Sequence, residues 1–70
     1  MMNTTVINAQ ARLDDQRRLR ALLIEGRTFW VGQRLIAQGQ EELFEVRIEI
    51  ETFDVLLAEC DQRISQLTQA

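Results

Sequence analysis

Nothing in these 70 residues forces a helix to stop, because the chain contains no proline. Proline removes a backbone donor and clashes with the preceding turn, at a cost of about 3 kcal/mol inside a helix. A chain without it, rich in Ala, Leu, Gln, Glu and Arg, is free to run as long uninterrupted helices.

The apolar spacing says how such helices would pair. From Leu43 onward, apolar residues fall at Leu43, Val46, Ile50, Phe53, Leu57, Cys60, Ile64 and Leu67, at intervals that alternate between three and four. This is a coiled-coil seam four heptads long. Read back from the middle of the chain, the same spacing gives Ile36, Gln33, Phe29, Gly26, Leu22 and Leu19, then fades at Asp15 and Arg12. Between the two patterns lies Gln38-Gly39-Gln40-Glu41, where Gly39 can take the left-handed conformation that ends a helix and Glu41 and Glu42 favour the start of the next. The expectation is an all-α, antiparallel two-helix hairpin that forms one domain over residues 1–70. Its first helix runs from about Thr5 to Gln38, capped by Thr4 or Thr5, its turn covers about 38–41, and its second helix runs from about Glu41 to Thr68.

A fold at Gly39 sets residues whose numbers sum to about 79 opposite each other. Ile36 then meets Leu43, Phe29 meets Ile50, Leu22 meets Leu57 and Leu19 meets Cys60, while Phe53 falls opposite Gly26. Large against small is how antiparallel layers interdigitate. Charge agrees with the pairing: residues 1–37 hold six arginines against Asp14, Asp15 and Glu25, whereas residues 38–70 hold two arginines against eight acids. Such pairs favour orientation more than stability.

Seventy residues are near the lower limit for a core that holds a fold unaided. Cys60 is the only cysteine and histidine is absent, which excludes an internal disulfide and any familiar zinc site. Association with another chain is the remaining support. The apolar residues left over from the seam point the same way: Leu23, Ile24, Trp30, Val31 and Leu35 on the first helix, and Phe44, Ile48, Val55 and Leu56 on the second. Soluble proteins seldom leave such faces in water. A homodimeric four-helix bundle, a larger partner protein, or both are expected to cover them, with Trp30 and Phe44 as anchors.

Several functions find little material. The apolar runs are too short to cross a bilayer, and Arg17-Arg18 is followed by no apolar export segment, so the expected location is the cytoplasm. Without histidine, lysine or tyrosine, acid–base catalysis would fall to carboxylates such as Asp14-Asp15 or Glu41-Glu42, which have no pocket in view; no enzyme, small-molecule substrate or cofactor is expected. Cys60, on the seam, reads as a small buried hydrophobe rather than a reactive thiol. Arg12, Arg17, Arg18 and Arg20 form the one basic cluster able to meet a polyanion such as RNA, but the net charge of −3 and the acidic second helix oppose that use.

Two layouts bear a resemblance. Phe44, Val46, Ile48 and Ile50 alternate with charged residues in the period of a strand, and with 27–33 as a second strand the chain would resemble the α-β-β-α head-to-tail joining proteins of phages, which implies a role in virion morphogenesis. As a hairpin, with Gly39 in a short turn and Phe44 near the start of the second helix, it is similar in outline to the co-chaperones of type III secretion needle subunits. That likeness implies a small adaptor, co-chaperone or inhibitor that offers a helical face to a larger protein.

Overall fold

The chain folds as two helices packed side by side in a computed structural model that describes residues 4–69, with side chains from residue 8 onward. Helix α1 spans Thr4–Ile36 and helix α2 spans Gln40–Thr68, and no strand occurs among the described residues. The segments 27–33 and 44–50, whose alternation is also compatible with strands, are both helical. The threonine cap expected at Thr4 or Thr5 lies outside the residues whose side chains are described.

The reversal takes place in residues 37–39. Gly39 has φ 91° and ψ 164°, an extended conformation with positive φ that only glycine adopts readily, so it does not act as the left-handed terminator of α1. It is instead the residue before α2, and its carbonyl accepts the Leu43 backbone N–H at 3.2 Å, opening the hydrogen-bond ladder. Glu42 reaches back so that its Oε2 accepts the Gln38 backbone N–H at 2.8 Å, which ties the turn to the first residues of α2. Glu41 and Glu42 also place negative charge where the helix dipole favours it.

The hairpin measures 61 × 15 × 12 Å and has a radius of gyration of 16.6 Å. A compact chain of this length would have a radius near 11 Å. The core is accordingly a single line of side chains: Leu13, Leu23, Val46, Ile50 and Cys60 are the buried apolar residues among those described. On α2 the sequence-derived seam lies against α1, with Val46, Ile50 and Cys60 buried and Phe53, Leu57, Ile64 and Leu67 half-buried; Leu43, beside the turn, is exposed.

Helix α1 is rotated relative to the expectation by about one residue. Leu22, Phe29 and Ile36, expected in the core, are 64%, 58% and 68% exposed, and Leu19 is exposed as well. Their successors in sequence take the inner face: Leu23 is buried and Trp30 and Ala37 are half-buried. Ala9, Leu13 and Gln16 continue the inner face toward the start of α1, and Gln33, a residue of the seam read from sequence, stays half-buried on it. Leu23 and Trp30, expected to meet a partner, are therefore hairpin residues. Two effects account for the rotation. It exchanges the Phe29 ring for the larger Trp30 ring at the interface, and it swings Arg20 and Arg27 onto the flank beside the acids of α2. Gly26 lies next to α2 in this orientation too, and a β-carbon there would stand 2.5 Å from the Phe53 ring.

Candidate interaction surfaces

Three surfaces carry the residues singled out from sequence. The first is the charged flank between the helices. Arg20 Nε donates to Asp61 Oδ1 at 2.7 Å, and Arg27 Nε donates to Asp54 Oδ1 at 2.6 Å. Arg34, seven residues after Arg27, lines the same cleft with Arg47, Glu51 and Asp54. All four paired side chains are about half exposed, so each pair contributes only a few tenths of a kcal/mol, and their main effect is to fix the rotation of α1. Arg47 also pairs within α2, with Glu51 at 3.1 Å.

The far end of the hairpin is held by polar contacts around Gln16. Gln16 sits on the inner face, where its backbone carbonyl accepts from the Cys60 thiol at 3.2 Å and its Oε1 accepts from Arg63 Nε at 2.8 Å. A slide of α2 along α1 would strand the Gln16 amide against apolar seam residues, so the contact works as a register pin. Cys60 is fully buried and lies against Gln16 rather than Leu19. Neither Gln16 nor Leu13 belongs to the seam read from sequence. The signal for Gln16 was present as the series Ala9, Gln16, Leu23, Trp30 and Ala37 at steps of seven, running beside the series Leu22, Phe29 and Ile36, whereas Leu13 falls on the series of Arg20, Arg27 and Arg34 and had none.

Of the basic cluster, Arg20 is engaged with Asp61, and Arg18 lies 3.8 Å from Asp15 on an exposed surface. Arg12 lines a shallow cleft with Asp15, Gln16 and Arg63, so carboxylates are interleaved with the arginines, while Arg17 is exposed. The cluster is divided among several directions rather than presented as one stripe.

The remaining two surfaces are apolar. On α1, Leu19, Leu22, Phe29 and Ile36 are exposed, with Ile36 at the edge of a cleft it shares with Trp30, Ala37, Glu42 and Glu45; Ile24 and Leu35 are exposed elsewhere around the helix, Leu35 to 82%, while Val31 is half-buried. The Phe29 ring meets the Trp30 ring edge to face, with centroids 5.5 Å apart, which holds it in place on that surface. On α2, Phe44, Ile48, Val55 and Leu56 are exposed. Phe44, Ile48 and Val55 share the side turned away from α1 and are bordered there by Glu41, Glu45 and Glu51, all exposed.

No group of metal-ligating side chains occurs among the described residues, and no described helix is long and apolar enough to cross a membrane. Comparison of the chain with protein-family models, with curated proteins and with solved structures finds no match.

Proposed function

We propose that this chain is a small non-enzymatic interaction module, of the adaptor, co-chaperone or inhibitor kind, that pairs with a second copy into a four-helix assembly and holds a larger protein. The observation that supports this reading is the pair of apolar surfaces left in water by a hairpin whose line of buried residues is already filled. Exposed apolar area of this extent is the usual mark of a protein-binding surface.

The outer side of α2 suits the larger partner. Phe44, Ile48 and Val55 offer apolar anchors within a border of Glu41, Glu45 and Glu51. The complement is an amphipathic helix with an apolar stripe flanked by lysine or arginine, since opposite charges at the rim steer encounter and set orientation. A photoreactive residue in place of Ile48, introduced in cells that make the protein, should form an adduct with one discrete protein. The joined segment should be a basic amphipathic helix, and Phe44→Glu should abolish the adduct. Adducts with the chain itself alone, or with no protein, would overturn the reading of this face.

A further inference from the structure

We infer that the outer face of α1, centred on Leu22, Phe29, Gly32 and Ile36, is the surface on which a second copy of this chain packs, with the two first helices antiparallel at the centre of the assembly. The inference rests on the proposed self-pairing and assigns it to one face.

Charge selects the occupant. Between Leu19 and Ala37 the charged residues of α1 are Arg20, Glu25, Arg27 and Arg34. The three arginines occur at steps of seven on the flank that meets the acids of α2, which leaves Glu25 as the one charge among the outward-facing residues of that stretch. Two such faces can meet with little like-charge contact along α1, because the α2 carboxylates Glu42 and Glu45 border the face only at its Ile36 end, and an antiparallel copy sets that end against Leu22 rather than against its equivalent. The outer side of α2 is less suited, because a parallel copy would bring Glu41, Glu45 and Glu51 against their equivalents and an antiparallel copy about Ile48 would set Glu45 against Glu51.

Symmetry fits as well. Leu22, Phe29 and Ile36 are spaced by seven on either side of Phe29. An antiparallel copy related by a two-fold axis at Phe29 sets Leu22 against Ile36 of the second copy, and Phe29 beside its equivalent.

Gly32 supplies independent support. A glycine inside a helix costs about 1 kcal/mol relative to alanine. Gly26 has its reason within the chain, the Phe53 ring, whereas a β-carbon at Gly32 would meet nothing within 4 Å. One turn from Phe29 and Ile36, it leaves room for the aromatic ring of a second helix at close approach.

The hairpin is also open. The chain has 5710 Å² of accessible surface, whereas a compact monomer of 8.2 kDa has about 4,500 Å². The difference of roughly 1,200 Å² is surface of every kind over both helices, and it marks an elongated chain open to association rather than the area of any one face.

Sedimentation equilibrium of the full chain over a wide range of concentration tests the assignment. Wild type should have twice the 8.2 kDa chain mass. Phe29→Glu should be monomeric, and Phe44→Glu with Ile48→Glu should stay dimeric. Gly32→Leu is the sharpest variant, because the hairpin has open space there: its helical circular dichroism should be kept or raised while the dimer weakens by about tenfold or more, a change of 1.4 kcal/mol or above. If Phe29→Glu fails to fold, Gly32→Leu alone decides. A Gly32→Leu protein that dimerises as well as wild type overturns the assignment to this face while the dimer itself stands. A wild type that is monomeric throughout overturns both the face and the self-pairing.

Discussion

The two helices differ in length by four residues and pack along the same line, yet only α2 declares in its sequence which side is inward. On α2 the seam positions are apolar at every step and the flanking positions are mostly Glu, Asp, Arg, Gln or Thr. Rotation by one residue in the direction of the chain would bring Arg47, Glu51, Asp54 and Asp61 inward, so one orientation is far better than its neighbours. On α1 the same rotation exchanges Leu22, Phe29 and Ile36 for Leu23, Trp30 and Ala37, one apolar series for another. Periodicity identifies a buried face when the helix has a single apolar side. When it has two, the choice passes to whatever the neighbouring helix offers.

Core truncations should expose this contrast most strongly. Leu23→Ala should cost about 2–4 kcal/mol, seen as a fall in the urea midpoint that does not depend on protein concentration. Leu22→Ala should cost the single hairpin well under 1 kcal/mol and should lower the midpoint in a concentration-dependent manner, through loss of association. Equal, concentration-independent losses would show that the two apolar series of α1 share the core.

The glycines come next. Gly26→Leu places a side chain on the Phe53 ring and should destabilise the hairpin by about 1–3 kcal/mol. At roughly 4–8 °C for each kcal/mol, thermal melting would show it clearly, and an unchanged melting temperature would mean that the two helices are not in this register. Gly39→Ala must hold a β-carbon at φ 91° and should lose a comparable about 1–3 kcal/mol, although its surroundings are open. A smaller loss would mean that the turn can relax to a conformation open to other residues.

The smallest effect concerns the charges that favour the observed rotation. Asp54→Asn with Asp61→Asn should lower stability by only a few tenths of a kcal/mol for each pair, and the difference from wild type should shrink in high salt. The more telling readout is Trp30 fluorescence. A shift toward exposed tryptophan in the double variant would mean that α1 has turned toward the Phe29 side, and an unchanged spectrum would mean that side-chain shape alone sets the rotation.

Much of the architecture was legible in advance. The absence of proline and the two stretches of three-and-four spacing pointed to two long helices, and the Gly39 region marked the reversal. The closeness of Gly26 to Phe53 and of Gln16 to Arg63 corresponds to a fold-back in which paired residue numbers sum to 79. The polar contacts of Gln16 were hidden because the seam read from sequence ran through Leu19, Asp15 and Arg12 instead, and only its partners Cys60 and Arg63 reveal it as a layer of the interface. The role of Gly39 was equally hidden: a glycine between two helices can end one or precede the other, and the distinction lies in ψ.

What the sequence determined by itself was the set of elements and the inner face of α2, because backbone propensity and the spacing of apolar residues are local properties of the chain. The rotation of α1 was decided only in the tertiary structure. A helix carries its side chains around its own axis without reference to its neighbour, and with two apolar series available, the outcome depended on Asp54, Asp61, Phe53 and Cys60, which lie at least 27 residues away along the chain from the α1 residues they meet and a few ångströms away in space.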